Sequence, residues 1–139
     1  MGEDFAVTDS AAALARRFWE LMATNDFGSV AEVLDPHVVV DWPLTRERIR
    51  GVDNFVRIQN EYPANGPWLF TIHRLFGDGP EAVSDVSVSD GVVHSRVISF
   101  FTVDGDRIAE LREYWPDEYE PPDNRSHLVE PLDDSTTGS

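Results

Sequence analysis

The sequence predicts an α+β fold, a cone-shaped α+β barrel in which three N-terminal helices pack on a curved, mostly antiparallel sheet. Three observations carry this prediction. Apolar side chains recur at helical spacing through the first third of the chain. From Trp68 onward, runs of β-branched and aromatic residues alternate with turns rich in Gly and Asp. Within that half, residues 92–117 read as a long β-hairpin, with strand-forming runs at 92–103 and 107–115 joined by Asp104-Gly105-Asp106.

The elements follow in order. Residues 1–7 read as an untethered end. With Thr8, Asp9 or Ser10 as cap, the next run places Ala11, Leu14, Ala15, Phe18, Leu21 and Met22 on one helical face, with Arg16, Arg17 and Glu20 largely opposite. Asn25-Asp26 closes this helix. Asp26 caps a second, shorter one, in which Phe27, Val30, Val33 and Leu34 repeat until Asp35-Pro36 stops it. Residues 37–42 form a short strand ended by Pro43, and the basic segment 45–50 reads as a connector. After Gly51, Asp53 caps a third helix with an apolar stripe of Val52, Phe55, Val56 and Tyr62, ended by Pro63, Asn65, Gly66 and Pro67. Strands at 68–76 and 82–89 then lead through Asp90-Gly91 into the hairpin. Short connections make a meander the economical topology. Helices covering one face of a curved sheet leave a cone with a cavity.

Composition sets the outer bounds. A chain of 139 residues with 41% apolar and 11% aromatic content is one globular domain. Net charge of -15 and a pI near 4.4 leave no basic footprint for nucleic acid or anionic lipid, so neither partner is expected. There is no cysteine, hence no disulfide, thiolate nucleophile or cysteine zinc site. No leader pattern precedes the first helix and no stretch of about 18 apolar residues occurs, so a soluble, cytoplasmic protein is expected. His37, His73, His94 and His127 share no spacing that pre-organises a metal, and no metal or cofactor is expected. Residues 118–139 form an acidic, Pro-rich tail, expected to be disordered beyond about residue 132. Its stretch 119–129, with Tyr119, Leu128 and Val129, has enough apolar character to pack along the outside or over a pocket mouth.

The order helix, helix, strand, helix, four strands, with ALARRFWELMATNDFGSVAEVL, VVVDWP, RIRG and FFTVDGDRIAELREYW, resembles the nuclear-transport-factor-2-like superfamily and within it the SnoaL-like group. The resemblance spans about residues 8–117, which become a SnoaL-like cone domain. It implies a fold that hosts isomerases, cyclases, hydrolases and non-catalytic binders. Against the ketosteroid isomerase pattern, Phe18, Trp42 and Ser99 occupy the tyrosine and two aspartate positions, so steroid isomerisation is not expected. Against limonene epoxide hydrolase, Asp41 stands at the water-positioning asparagine and Glu113 at the catalytic aspartate, within Arg112-Glu113-Tyr114. That family's arginine and second aspartate have no counterpart in residues 84–89. In SnoaL-like cyclases a carboxylate near the end of the last strand is the general acid/base, a role open to Glu113 or Asp117.

Strand alternation sorts these candidates by face. Ser95, Val97, Ser99 and Phe101 share one face, and Ala109, Leu111, Glu113 and Trp115 go together on the last strand. Among Leu111 and Trp115, a Glu113 facing inward is partly desolvated, which raises its pKa; facing outward, it pairs with a cross-strand arginine. A one-residue ambiguity at Pro43 exchanges Asp41 and Trp42 between interior and exterior. Asp85 is a second interior acid if Val83 and Ser87 face inward, although Ala82, Val86 and Val88 argue for the opposite face. His73 is read as a hydrogen-bonding partner in the pocket or as a core or rim histidine. Trp19, Trp42, Trp68, Tyr62 and Trp115 supply aromatic wall, as does Phe18.

The combined expectation is a small, mostly apolar, cyclic or polyketide-like molecule in the cone and proton-transfer chemistry without a cofactor. Glu113 acts as base or acid and Asp41 positions water or a hydroxyl, with Ser99 and His73 as hydrogen-bonding partners and Phe18, Trp42, Asp85, Leu111 and Trp115 also contacting the substrate. The alternative is a non-catalytic ligand-binding or interaction module. A homodimer through the outer sheet face, with Arg96, Ile98, Phe100 and Tyr114, is expected in either case.

Overall fold

Helix α1, Gly2–Ala23, lies across the concave face of the sheet and fixes where the pocket can be. The computed structural model describes the backbone of residues 2–132 and the side chains of residues 11–132. α1 begins earlier than the sequence suggests: the expected loose end is helical from Gly2, and Thr8, Asp9 and Ser10 lie inside the helix instead of capping it. Residues 3–10 contain no glycine or proline to break the turn. The disorder expected beyond residue 132 lies outside the described residues.

The apolar stripe of α1 buries Ala11, Ala15, Phe18 and Met22 at successive turns, with Trp19 and Leu21 beside it. Phe18 meets Trp19 and Phe101 edge-on, at ring-centroid distances of 4.9 and 5.6 Å. Each such buried side chain contributes about 1.5–3 kcal/mol of burial. α1 approaches the sheet closely at Gly77, where an added Cβ would lie 2.7 Å from the Cβ of Ala12.

The chain leaves α1 through Asn25 in the left-handed region, φ 63°. A 3-10 helix, Phe27–Glu32, replaces the expected second α-helix, and the Asp26 side chain makes no capping bond. Strand β1, Leu34–Trp42, starts before Asp35-Pro36 and carries that proline at an irregularity between Leu34 and Val39, where ladder bonding lapses. The expected connector 45–50 contains a strand, β2, Glu47–Arg50, paired antiparallel to β1, with Ile49 as its one buried side chain. Helix α2, Val52–Glu61, buries Phe55, and its N-cap is Gly51 at φ 88°, with Asp53 in the first turn.

Strands β3, Leu69–Asp78, β4, Glu81–Ser89, β5, His94–Asp104, and β6, Arg107–Tyr114, form the expected meander. The sheet order is β2-β1-β6-β5-β4-β3. β1 closes it by pairing parallel to β6, the only non-antiparallel contact among the described residues. The result is an α+β domain, helices on one side of a curved six-stranded sheet. A second 3-10 helix, Asp123–Leu128, follows, and the apolar side chains of the stretch 119–129 are not packed away: Tyr119, Leu128 and Val129 are exposed, Tyr119 to 87%.

Candidate functional site

Among the described residues, the fully buried positions of the inner sheet face are apolar except at three. Ser84 on β4 accepts a hydrogen bond from the Trp19 indole at 3.0 Å, which satisfies both groups in the core. The other two, Ser99 and Glu113, lie directly opposite each other on β5 and β6, and only 3% of Glu113 is exposed. The parallel register pairs Val40 with Leu111 and Asp41 with Arg112, so the next residue of β1, Trp42, arrives beside Glu113.

The local geometry is a carboxyl held by two donors, with a third close by. Trp42 Nε1 donates to Glu113 Oε1 at 3.0 Å and Ser99 Oγ donates to Oε2 at 3.2 Å. The Trp115 indole N–H is nearby, buried, and completes no hydrogen bond. Burial pushes the Glu113 carboxyl above its ordinary range, and the Trp42, Ser99 and Trp115 donors offset only part of that rise. When the carboxyl is protonated, the rotatable Ser99 hydroxyl can turn to accept its O–H, so either state is satisfied.

Glu113 forms part of the wall of a cavity of about 360 Å³ between the sheet, α1 and α2. All four tryptophans of the chain line it, joined by Tyr62, Phe55 and Phe70. Tyr62 packs edge-on against Trp68 at 6.1 Å. Glu47 and Asp117, both exposed, are its other carboxylates, and no Arg, Lys or His lines it.

Two polar clamps shape the mouth. The Asn25 side chain accepts from the Trp68 backbone N–H at 2.7 Å and donates to its carbonyl at 2.8 Å, tying the end of α1 to the start of β3. Asp90 accepts from the backbone N–H groups of Asn65, Val92 and Val93, and from the Asn65 side chain. The Asn65 and Val93 N–H groups lead in holding the Asp90 carboxyl far below the usual carboxylate range. Asp90 thereby joins the loop after α2 to the β4–β5 turn, on either side of the cavity. Sequence reasoning passed over this role, although an acidic residue before a glycine in a turn is the signal for it.

The remaining candidates separate by face. Trp42, Trp115 and Glu113 line the cavity, and Ser99 lies behind Glu113. Phe18 and Leu111 are fully buried in the core and do not reach the cavity wall. Asp41, expected to position water, faces outward. Arg48 donates to it at 2.7 and 3.0 Å and Arg112 lies 3.6 Å away. The Arg48 hydrogen bonds, with Arg112 adding to them, hold its carboxyl below the ordinary range.

Asp85 is likewise on the outer face, gripped by Arg96 at 2.6 and 3.1 Å, and the Arg96 hydrogen bond is the main cause of its lowered pKa. The physical reason is alternation: Ser84 and Val86 take the inner positions, leaving Asp85 none. His73, at a register shift between Ile72 and Arg74, meets Ser87 at 2.6 Å, also away from the cavity. Asp41, Asp85 and His73 are therefore withdrawn from the pocket.

A family model described as a SnoaL-like domain matches residues 15–111. Among solved structures, a provisionally named ketosteroid isomerase from Kribbella flavida is 33% identical, with a TM-score of 0.83 over 91% of this chain and 92% of that one. An LEH-like epoxide hydrolase from M. tuberculosis is 23% identical, TM-score 0.64, over 78% and 84% of the two chains. A provisionally named SnoaL-like polyketide cyclase from Jannaschia is 13% identical, TM-score 0.66, over 78% and 87%. The last two show likeness of fold. No protein of curated function matches. No helix among the described residues is long and apolar enough to cross a membrane.

Proposed function

The chain belongs to the SnoaL-like domain family, and from that premise we propose that it is a cofactor-independent enzyme, a cyclase, isomerase or hydrolase, in which Glu113 moves a proton on a mostly apolar, cyclic substrate bound in the cone. The observation that carries this reading is a carboxyl with a raised pKa in the wall of an aromatic cavity, held by Trp42 and Ser99 without a cationic partner. A buried carboxyl whose pKa is raised above the ordinary range is suited to take and return a proton. The Ser99 hydroxyl can serve either charge state, and the Trp42 indole N–H favours the carboxylate.

The name of the Kribbella relative supports chemistry of this class without fixing it. Here Phe18 is core, and the position of that family's protonated acid is Ser99, so the acid function stands one strand away at Glu113. Glu113→Gln keeps the shape and the acceptor for Trp42 but removes the titrating proton. Turnover of any substrate found should fall by about 10²–10⁴-fold while the fold persists; undiminished turnover contradicts the assignment.

A second reading, a non-catalytic binder, is favoured by one observation: with Asp41 and Asp85 outside, no second acid or base among the described residues touches Glu113. A ligand that raises the melting temperature and is unchanged at every pH tested identifies that case. In either case the protein pairs with a second copy through its outer sheet face, where Phe100 is 48% exposed beside Ile98 and Tyr114; a strict monomer at micromolar concentration in sedimentation contradicts the pairing.

A further inference from the structure

We propose that the ligand of this cavity is an organic cation, a quaternary or protonated amine on an apolar body. This deepens the pocket reading above and rests on it.

The argument is one of composition and charge. Eight of the nineteen lining residues are aromatic, including every tryptophan in the chain, beside aliphatic residues and the neutral polar Thr45, Gln59 and Ser95; Trp and Tyr faces attract cations through their quadrupoles. Three carboxyl groups join them: Glu113 deep in the wall, and Glu47 and Asp117 exposed. No cationic side chain lines the cavity, although arginines are frequent on the neighbouring outer face, at Arg48, Arg96 and Arg112. An anionic ligand finds no partner here. A neutral apolar ligand would fit the rings but leaves the carboxyl groups unused.

The donors around Glu113 fit the same ligand. A cation seated in the cavity favours the charged carboxylate, and Trp42, Ser99 and the unpartnered Trp115 N–H then have an anion to serve. At a pH where the free protein still holds the Glu113 proton, binding drives it into solvent: the carboxyl O–H bond breaks, the electron pair stays on oxygen, and the buffer takes the proton. Among the described residues, the other titratable groups facing this space are Glu47 of β2, Tyr62 after α2 and Asp117 after β6; the described lining residues of α1, β1, β3, β4 and β5 include none.

The test is calorimetric titration with a matched pair: (4-hydroxymethylphenyl)trimethylammonium, whose charge does not titrate, and its neutral isostere 4-tert-butylbenzyl alcohol. The cation should bind about tenfold more tightly than the alcohol at pH 8, and its affinity should fall as pH drops through the Glu113 titration. At a pH within that titration, runs in buffers of different ionisation heat should show proton release with the cation and none with the alcohol. Glu113→Gln should abolish the release and the pH dependence. Should that variant fail to fold, the exposed pair Glu47→Gln with Asp117→Asn should weaken cation binding about two- to threefold and leave the alcohol unaffected.

Equal or tighter binding of the alcohol overturns the cation and leaves the small-molecule pocket standing. Binding of neither probe at millimolar concentration overturns both.

Discussion

Glu113 and Asp41 lie on neighbouring strands, one step apart in register, and their environments are opposite. Asp41 faces outward, is held by Arg48 and Arg112, and its carboxyl is more acidic than usual. Glu113 faces inward, is held by two neutral donors, and its carboxyl is less acidic than usual. Asp85 repeats the Asp41 arrangement on β4, between Arg96 and Arg74. The difference teaches that a single step of strand alternation decides whether a carboxylate is a surface ion or a buried group whose proton is held more tightly than usual. Paired outer carboxylates have partners in solvent reach, and Glu113 has only what the fold supplies.

The contrast between faces can be broken first by core truncation. Phe18→Ala should cost about 3–5 kcal/mol in denaturant unfolding, because the ring is enclosed by Trp19, Phe55 and Phe101. Phe100→Ala, on the half-exposed outer face, should cost less than about 1.5 kcal/mol. Similar costs would mean that the two faces are not distinct.

Polar pairs give a smaller version of the same contrast. Ser84→Ala leaves the buried Trp19 N–H without its acceptor and should cost about 1–3 kcal/mol, whereas Ser87→Ala frees the half-buried His73 ring and should cost about 1 kcal/mol or less. Smaller still is the outer ion pair: a double-mutant cycle on Arg96 and Asp85 should give a coupling of about 0.5–1 kcal/mol, discounted for solvent and shrinking with salt. A coupling of several kcal/mol would make the outer face electrostatically dry.

Last comes a change of slope. Since the Glu113 pKa is raised on folding, the native chain keeps a proton above the unfolded value that the unfolded chain has lost. Wild-type stability should therefore fall from that pH up to the native pKa and then level off. Glu113→Gln should flatten this part of the profile measured by melting against pH; an unchanged slope would assign it to other groups.

Much of the fold was legible because its signals are local. Alternation along β4 to β6 and the stripe of α1 are written in consecutive residues, and the resemblance carried by the hairpin extended them to the whole domain. β2 was missed because Glu47-Arg48-Ile49-Arg50 carries one apolar side chain among three charges; its identity as a strand comes from pairing with β1, not from its own composition. The parallel contact of β1 with β6 is equally non-local.

That same contact resolves the ambiguity between Asp41 and Trp42, turning the indole toward Glu113 and the acid toward Arg48. The aromatic wall was legible as a set, since Trp19, Trp42, Trp68, Tyr62 and Trp115 all line the cavity. Asp85 contradicted its own neighbours: Ala82, Val86 and Val88 already marked the inner face. His73 was displaced by a register shift that no residue pattern announces.

The most direct test is a carbon-13 carboxyl titration by NMR that follows Glu113, Asp41 and Asp85 in one sample, with Glu113→Gln and Asp41→Asn to assign the signals. The account predicts that Glu113 titrates above the ordinary glutamate value of roughly 4.3 and that both aspartates titrate below about 3.9. A Glu113 signal at or below the ordinary value would mean a solvated or ion-paired carboxylate, and would contradict its place as the proton-exchanging group of the cavity.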